Sequence, residues 1–180
     1  MKPSKLRHLI FLALCCDLGM ITKQVISPIS NIITDFLHIP GGISTSFSLM
    51  FLVVAAVLTP KFGSGVLMGA AQSMIALAMG RTGSMGALSP IGYIVPGLVI
   101  DCVMYLARRI KIGDNMSVLI ANMFASIAAG FTANIIVFRL NGVVLLLYLF
   151  VACTSGAICG VLGGSLISRL RPVIQNTHLV

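Results

Sequence analysis

Long apolar runs, separated by short polar or Pro/Gly-containing segments, dominate this 180-residue sequence. Hydrophobic residues make up 58% of the chain and charged residues only 9%, whereas about a quarter of the residues of a soluble domain are charged. Runs of about 20 apolar residues are long enough to cross a bilayer as helices. The sequence therefore predicts an all-α integral membrane protein and excludes an ordinary soluble domain.

Six of the runs approach the length of a membrane span. They cover residues 6–26, 43–58, 63–78, 90–107, 116–137 and 143–167. The second and third flank Thr59-Pro60-Lys61-Phe62, and because proline ends a helix we predict a tight helical hairpin here rather than one long helix. The basic N-terminus resembles the start of a signal peptide, but Asp17 interrupts the first run and no small-residue cleavage site follows. We therefore expect a retained first helix and a single transmembrane domain over 1–180.

Basic residues fall mostly on one side of this six-helix arrangement. One side holds Lys2, Lys5, Arg7, Lys61, Arg108, Arg109, Lys111, Arg169 and Arg171, and the other holds Arg81 and Arg139. Cytoplasmic loops of membrane proteins carry an excess of Lys and Arg. The count predicts cytoplasmic N- and C-termini and a multi-pass protein of the plasma membrane. It also accounts for the net charge of +8 without a nucleic-acid partner.

The first outer loop, residues 27–42, has apolar residues at helical spacing. They are Ile29, Ile32, Ile33, Phe36 and Leu37, and Pro40-Gly41-Gly42 follows them. This pattern predicts a short amphipathic helix on the outer surface. Such a helix could cover a site as a lid, or it could only lie at the membrane surface as an interfacial foot. The sequence leaves both alternatives open.

The motifs of common membrane enzymes are absent from the sequence. The chain contains no glutamate, and its three histidines lie at the ends or in a loop, which excludes a His-Glu-x-x-His zinc peptidase and a serine–histidine protease. Gly80, Gly83 and Gly86 imitate a phosphate-binding loop, but no Lys-Ser/Thr pair follows them. We predict a protein that is not an enzyme and has no cofactor or metal site. The five cysteines, all inside apolar runs, are interpreted as packing residues.

Small residues recur every fourth position in three of the predicted helices. These ridges are Gly65, Gly69 and Ser73; Ala121, Ala125, Ala129 and Ala133; and Ala152, Gly156, Gly160, Gly164 and Ser168. Small residues on one helix face let two backbones approach closely in lipid. The ridges predict packing inside the bundle, and one of them could instead face a partner subunit.

Polar residues inside the apolar runs are the candidates for a solute site, because charged groups in a bilayer are costly and tend to face cavities or partners. Asp101 lies near the middle of the fourth run and shares a helical stripe with Tyr93 and Gly97. The alternative for Asp101 is pairing with a cation or capping a neighbouring helix. Lys23 needs a partner on another helix or must extend to the outer interface, and we expect the second. The predicted solute-binding residues are Gln72, Ser89, Tyr93, Gly97, Asp101 and Asn134.

The layout of residues 48–111 resembles a known family. An apolar span, a basic residue beside a glycine, a second span, the turn Gly83-Ser84-Met85-Gly86 and a third span ending in two arginines follow one another. This order is similar to the substrate-binding S components of energy-coupling factor (ECF) transporters, in particular the hydroxymethylpyrimidine/thiamine permease branch. The segment from Leu37 to Gly42 resembles the His-Ile-Pro segment of nickel- and cobalt-specific S components.

This resemblance implies an uptake mechanism. An S component binds a vitamin or vitamin precursor from outside, associates with a transmembrane coupling subunit and two cytosolic ATPases, and tips in the membrane to release the solute. The implied docking residues for the coupling subunit are Ala13, Cys15 and Gly19 of the first helix. The alternatives are nickel or cobalt uptake and a membrane assembly protein that transports nothing.

Overall fold

Six α-helices account for most of the chain that the computed structural model describes, which comprises residues 3–37, 42–59, 61–80, 83–139 and 142–176. They are α1 (Pro3–Leu37), α2 (Ile43–Leu58), α3 (Ser64–Ala78), α4 (Ser89–Ile110), α5 (Asp114–Ala133) and α6 (Gly142–Asn176). A 3-10 turn (Gly83–Leu88) leads into α4, and a π-helical turn (Asn134–Phe138) follows α5. The prediction of an all-α fold is confirmed for these residues.

Four of these helices are long and apolar enough to cross a membrane. The candidate spans are Leu9–Ile32, Met85–Ile110, Asp114–Val137 and Gly142–Pro172. Helices α2 and α3 have only 16 and 15 residues, or about 24 Å at 1.5 Å per residue, against a hydrocarbon core of about 30 Å. The prediction of six spanning helices is therefore too high by two. The sidedness of the helices and the cytoplasmic location of the termini stay predictions.

The burial of α2 explains why this helix has a strongly apolar sequence although it is too short to cross a membrane. This helix contacts α1, α5 and α6, and Leu52, Val53 and Ala55 on it are 0% exposed. A helix that is apolar all round is one that is covered on every side. Hydropathy cannot distinguish cover by lipid from cover by protein, and here the cover is protein.

Helix α1 is longer than the sequence predicts. The run was expected to end near residue 26, with a separate surface helix in the loop that follows, but α1 continues without a break through Pro28 to Leu37. Proline costs one backbone hydrogen bond, and beyond it Ser30 is buried while Ile32 and Phe36 are 70% and 85% exposed, so only one side of this extension contacts the bundle. Part of the predicted lid or foot is therefore the end of α1, and residues 38–41 lie outside the described part of the chain.

The small-residue ridges pack inside the bundle, as the first of their two interpretations predicts. A Cβ atom on Gly97 would lie 2.5 Å from the carbonyl oxygen of Gly65, so α3 and α4 cross with their backbones almost touching. Between α5 and α6, a Cβ atom on Gly160 would lie 2.7 Å from the Cα of Leu119. Close backbone approach of this kind requires glycine at the crossing point.

Candidate functional site

A cavity of about 810 Å³, here called the main cavity, lies among α1, α2, the first half of α4, α5 and α6, with Gln72 of α3 also in its wall. Ligand pockets in proteins have volumes of about 300–1,000 Å³ and combine apolar walls with a few polar groups. Its polar wall residues include Lys23, Gln24, Ser27, Asn31, Ser44, Thr45, Ser48, Gln72, Ser89, Tyr93, Ser126 and Tyr148. The main cavity has the size and lining of a site for a small organic molecule.

A lysine and a tyrosine meet at the wall of the main cavity. The Lys23 ammonium donates a hydrogen bond of 3.3 Å to the Tyr93 hydroxyl and lies 4.7 Å from the centroid of the tyrosine ring. Of the two alternatives for Lys23, the structure shows the partner on another helix, because Tyr93 offers the ammonium both an acceptor and a π face. This places a positive charge well inside the candidate span Leu9–Ile32.

Gln72 lies deeper in the wall of the cavity. Its side chain is 1% exposed, and its amide nitrogen donates a 3.3 Å hydrogen bond to the carbonyl oxygen of Cys16. Gly19 makes room for this arrangement, since a Cβ atom there would lie 3.0 Å from the Gln72 amide nitrogen and 3.1 Å from the Ser48 carbonyl oxygen. The close packing of α1 thus fixes the orientation of the glutamine.

Two buried serine hydroxyls on the cavity wall have no hydrogen-bond partner within the described residues. Ser89 and Ser126 are 2% and 3% exposed, both line the main cavity, and neither Oγ atom is paired. A buried hydroxyl without a partner costs about 1–3 kcal/mol. A hydrogen-bonding group brought to either oxygen atom would offset this cost.

Asp101 is not at the main cavity but caps a neighbouring helix. It is 3% exposed, and its two carboxylate oxygens each accept a 2.9 Å hydrogen bond from a backbone amide, of Gly65 and of Val66. These amides are in the first turn of α3, whose N-cap residue Gly63 provides no side-chain cap. A carboxylate at a helix N-terminus is stabilising because it satisfies otherwise unpaired amides. The alternative that Asp101 caps a helix is therefore confirmed.

The structure brings together half of the predicted solute-binding residues. Gln72, Ser89 and Tyr93 line the main cavity, whereas Gly97, Asp101 and Asn134 do not. Gly97 is at the crossing with α3, and Asn134 is buried where the π-helical turn begins. The solute-binding role of each residue stays a prediction, with the first three now sharing one wall.

The predicted docking residues do not form one exposed face. Ala13 is exposed, Cys15 is half-buried against the hydrophobic core, and Gly19 is buried against α2 and α3. A ridge of small residues in sequence does not reveal which neighbour it packs on. Docking at these residues stays a prediction, and Ala13 is the one of the three that the surface of the fold presents.

Sequence reasoning left out several residues of the cavity wall, among them Lys23, Ser126 and Tyr148. For Lys23 the signal was present, because a basic residue inside an apolar run is by default a candidate for function. For Ser126 and Tyr148 there was no signal, since serine and tyrosine are common in membrane helices. Only the packing of α5 on α4 and of α6 on α2 and α5 brings them to the same cavity.

Replacing Asp101 by asparagine is expected to lower the stability of the fold by about 1–2 kcal/mol, because one α3 amide keeps only a neutral acceptor and the other faces the NH2 group. Solute affinity of the folded variant is expected to change less than twofold, since the main cavity is untouched. Thermal unfolding of the purified protein and a solute-binding measurement check the two parts. A tenfold loss of affinity in folded protein would contradict the structural role and return Asp101 to the solute site.

Among the described residues, no group of three or more His, Cys, Asp or Glu side chains is placed to hold a metal ion. His38, which the nickel and cobalt alternative invokes, lies outside the described part of the chain, as does Arg81. Comparison of the chain with protein-family models, with curated proteins and with solved structures found no match.

Proposed function

We propose that this protein is a membrane-embedded solute-binding subunit of an uptake transporter, and that the main cavity holds the solute. The observation that carries the proposal is the inward-facing Lys23 ammonium on the Tyr93 ring and hydroxyl, at the wall of a cavity of about 810 Å³. A charge placed inside a membrane span is costly unless it has a function or a partner. A solute that contacts the ammonium provides a function.

The lining of the main cavity indicates the class of solute. Lys23 contributes a positive charge, and the described residues of the wall include neither aspartate nor glutamate. A solute with a carboxylate or another strong acceptor would be attracted to the ammonium, while hydroxyl and amide groups of the wall pair with its other polar atoms. We therefore propose a vitamin-sized neutral or anionic solute. A cationic molecule such as thiamine would meet repulsion at Lys23.

The energy source is proposed to lie outside this chain. The sequence has no Walker-type nucleotide motif, and the layout of residues 48–111 resembles ECF S components. The partners would then be a transmembrane coupling subunit and two cytosolic ATPases. The outward face of α1, where Leu14, Leu18 and Ile21 are 63%, 49% and 56% exposed and Asp17 is exposed among them, supplies a mostly apolar surface for such a coupling subunit.

Ligand analysis of the purified full-length protein tests the proposal. We expect mass spectrometry of the denatured sample to show one small molecule released in a stoichiometric amount. The variant Thr45→Phe, which places a ring at the wall of the main cavity, should lose this molecule. Its matched control is Thr22→Phe. Thr22 is on α1, is not among the residues that line the main cavity, and donates its hydroxyl to the Leu18 carbonyl of the same helix.

Three other outcomes would contradict the proposal. If the denatured protein releases no small molecule, the assembly-protein alternative is favoured. Nickel or cobalt in place of an organic molecule would favour metal uptake. Equal loss of the molecule from both threonine variants would show that it does not bind in the main cavity.

A further inference from the structure

A second cavity, of about 490 Å³, lies at the opposite end of α4 from the main cavity. It is formed where α2 ends, α3 begins and α4 ends, and it shares no wall residue with the main cavity. We call it the basic cavity, because Lys61, Arg108 and Arg109 line it. Nothing in the proposed solute site requires these three cations to converge.

The positive charge of the basic cavity is not neutralised by its own wall. Asp101 is the one acidic residue among the described residues that line it, and both of its oxygens accept hydrogen bonds from the α3 amides. The Arg108 guanidinium is held in place by a 2.8 Å hydrogen bond from Nη2 to the Ala56 carbonyl oxygen. This bond uses one of the five N–H donors of the guanidinium. It therefore orients the group and leaves the other donors for a ligand.

Side chains rather than the helix terminus would hold an anion here. Asp101 already occupies the first amides of α3, which removes the usual anion site of a helix N-terminus. Two guanidinium groups and an ammonium remain, and guanidinium groups match the oxygen atoms of a phosphate in pairs. Ser64 also lines the cavity, is 5% exposed, and carries a hydroxyl that has no hydrogen-bond partner among the described residues. These groups are those of a phosphate site.

The surroundings of the basic cavity are those of a lipid-binding surface. Phe62 and Tyr105 form an edge-to-face pair with ring centroids 6.1 Å apart. Both line the cavity, and they are 69% and 54% exposed. Leu106 and Ile110 beside them are 53% and 68% exposed. Aromatic residues concentrate at the membrane–water interface, and basic pockets between membrane helices bind anionic headgroups.

We propose that the basic cavity binds the phosphate group of an anionic membrane lipid, with the Phe62–Tyr105 pair against its acyl chains. The position supports a lipid rather than a free phosphate, since Tyr105 is within five residues of the end of the candidate span Met85–Ile110. A bound lipid would join the α2–α3 turn to the end of α4. This proposal is independent of the solute and of the energy source.

The test measures lipid retention by the full-length protein. Protein purified with phosphatidylglycerol is washed in detergent, and the lipid retained by the folded monomer is quantified by mass spectrometry. The double variant Lys61→Gln with Arg109→Gln is expected to retain at least fivefold less phosphatidylglycerol, because two of the three cations are removed. The matched control is Lys111→Gln with Arg169→Gln, which removes the same charge from exposed residues outside the cavity and should retain the lipid.

Two further arms separate the sources of phosphate. Phosphatidylcholine, which has a phosphate but no net charge, is expected to be retained weakly by all proteins. Inorganic phosphate at millimolar concentration should not displace phosphatidylglycerol. Equal loss from both double variants would overturn the proposal in favour of general charge attraction, and displacement by inorganic phosphate would overturn the lipid assignment.

Discussion

Replacing Lys23 by methionine is expected to weaken solute binding at least tenfold while the protein still folds. Methionine keeps the length and apolar stem of lysine but removes the ammonium that lies against Tyr93 at the cavity wall. A charge-assisted hydrogen bond contributes roughly 1.5–3 kcal/mol, and about 1.4 kcal/mol corresponds to a factor of ten in affinity. The measurement is titration of the purified variant with the solute that mass spectrometry identifies.

Two further variants test whether the loss of solute affinity is caused by removal of the ammonium at position 23. Lys111→Met makes the same change at an exposed residue after α4, outside the main cavity, and should bind like the wild type. Tyr93→Phe removes the hydroxyl acceptor but keeps the ring, so a smaller loss of about two- to fivefold is expected from the weaker orientation of Lys23. Unchanged affinity in Lys23→Met would show that the ammonium does not contact the solute.

Replacing Gly97 by alanine is expected to destabilise the fold by about 3 kcal/mol or more, at the upper end of the cost of overpacking. The new methyl group would meet the Gly65 carbonyl oxygen at 2.5 Å, and a backbone atom cannot move aside as a flexible side chain does. Helices α3 and α4 would have to separate. That movement would also lengthen the bonds from Asp101 to the α3 amides, so two stabilising contacts are lost together.

The matched control is the same change at Gly164 in α6. A Cβ atom there would meet Asn115 at 3.5 Å, an ordinary contact, and alanine is a better helix former than glycine by about 1 kcal/mol. Gly164→Ala is therefore expected to be neutral or mildly stabilising. Thermal unfolding in detergent, followed by the fraction of monomer that remains, compares the two variants. Similar stability for both would contradict the close crossing of α3 and α4.

The positions of most helices could be predicted from hydropathy and from the proline and glycine residues that end helices. Helices α2 and α3 begin and end within a residue of their predicted bounds, because proline and glycine separate them. Helix α1 was predicted too short, since Ser27-Pro28 looks like an end in sequence. Its continuation brings Ser30 into a buried position, and a contact with a neighbouring helix cannot be read from a single segment.

The candidate site was only half predictable. Residues of one helix can be assigned to a shared face from their spacing, and Tyr93, Gly97 and Asp101 were grouped in this way. Spacing does not specify which helix that face meets, and the stripe divides: Tyr93 reaches the main cavity, while Gly97 and Asp101 hold α3. Lys23 was assigned to the outer interface for the same reason, because its acceptor is on another helix 70 residues away.

The sequence by itself determined the class of this chain and the approximate limits of most of its helices, because the burial of apolar residues and the conformational limits of proline and glycine are local properties. Only the tertiary structure decided that α2 is covered by protein, that Asp101 caps α3, and that Lys23 faces Tyr93 in a cavity. Each of these depends on which helices meet and in what register. Contacts between distant segments are set by the packing of the whole bundle, which no single apolar run contains.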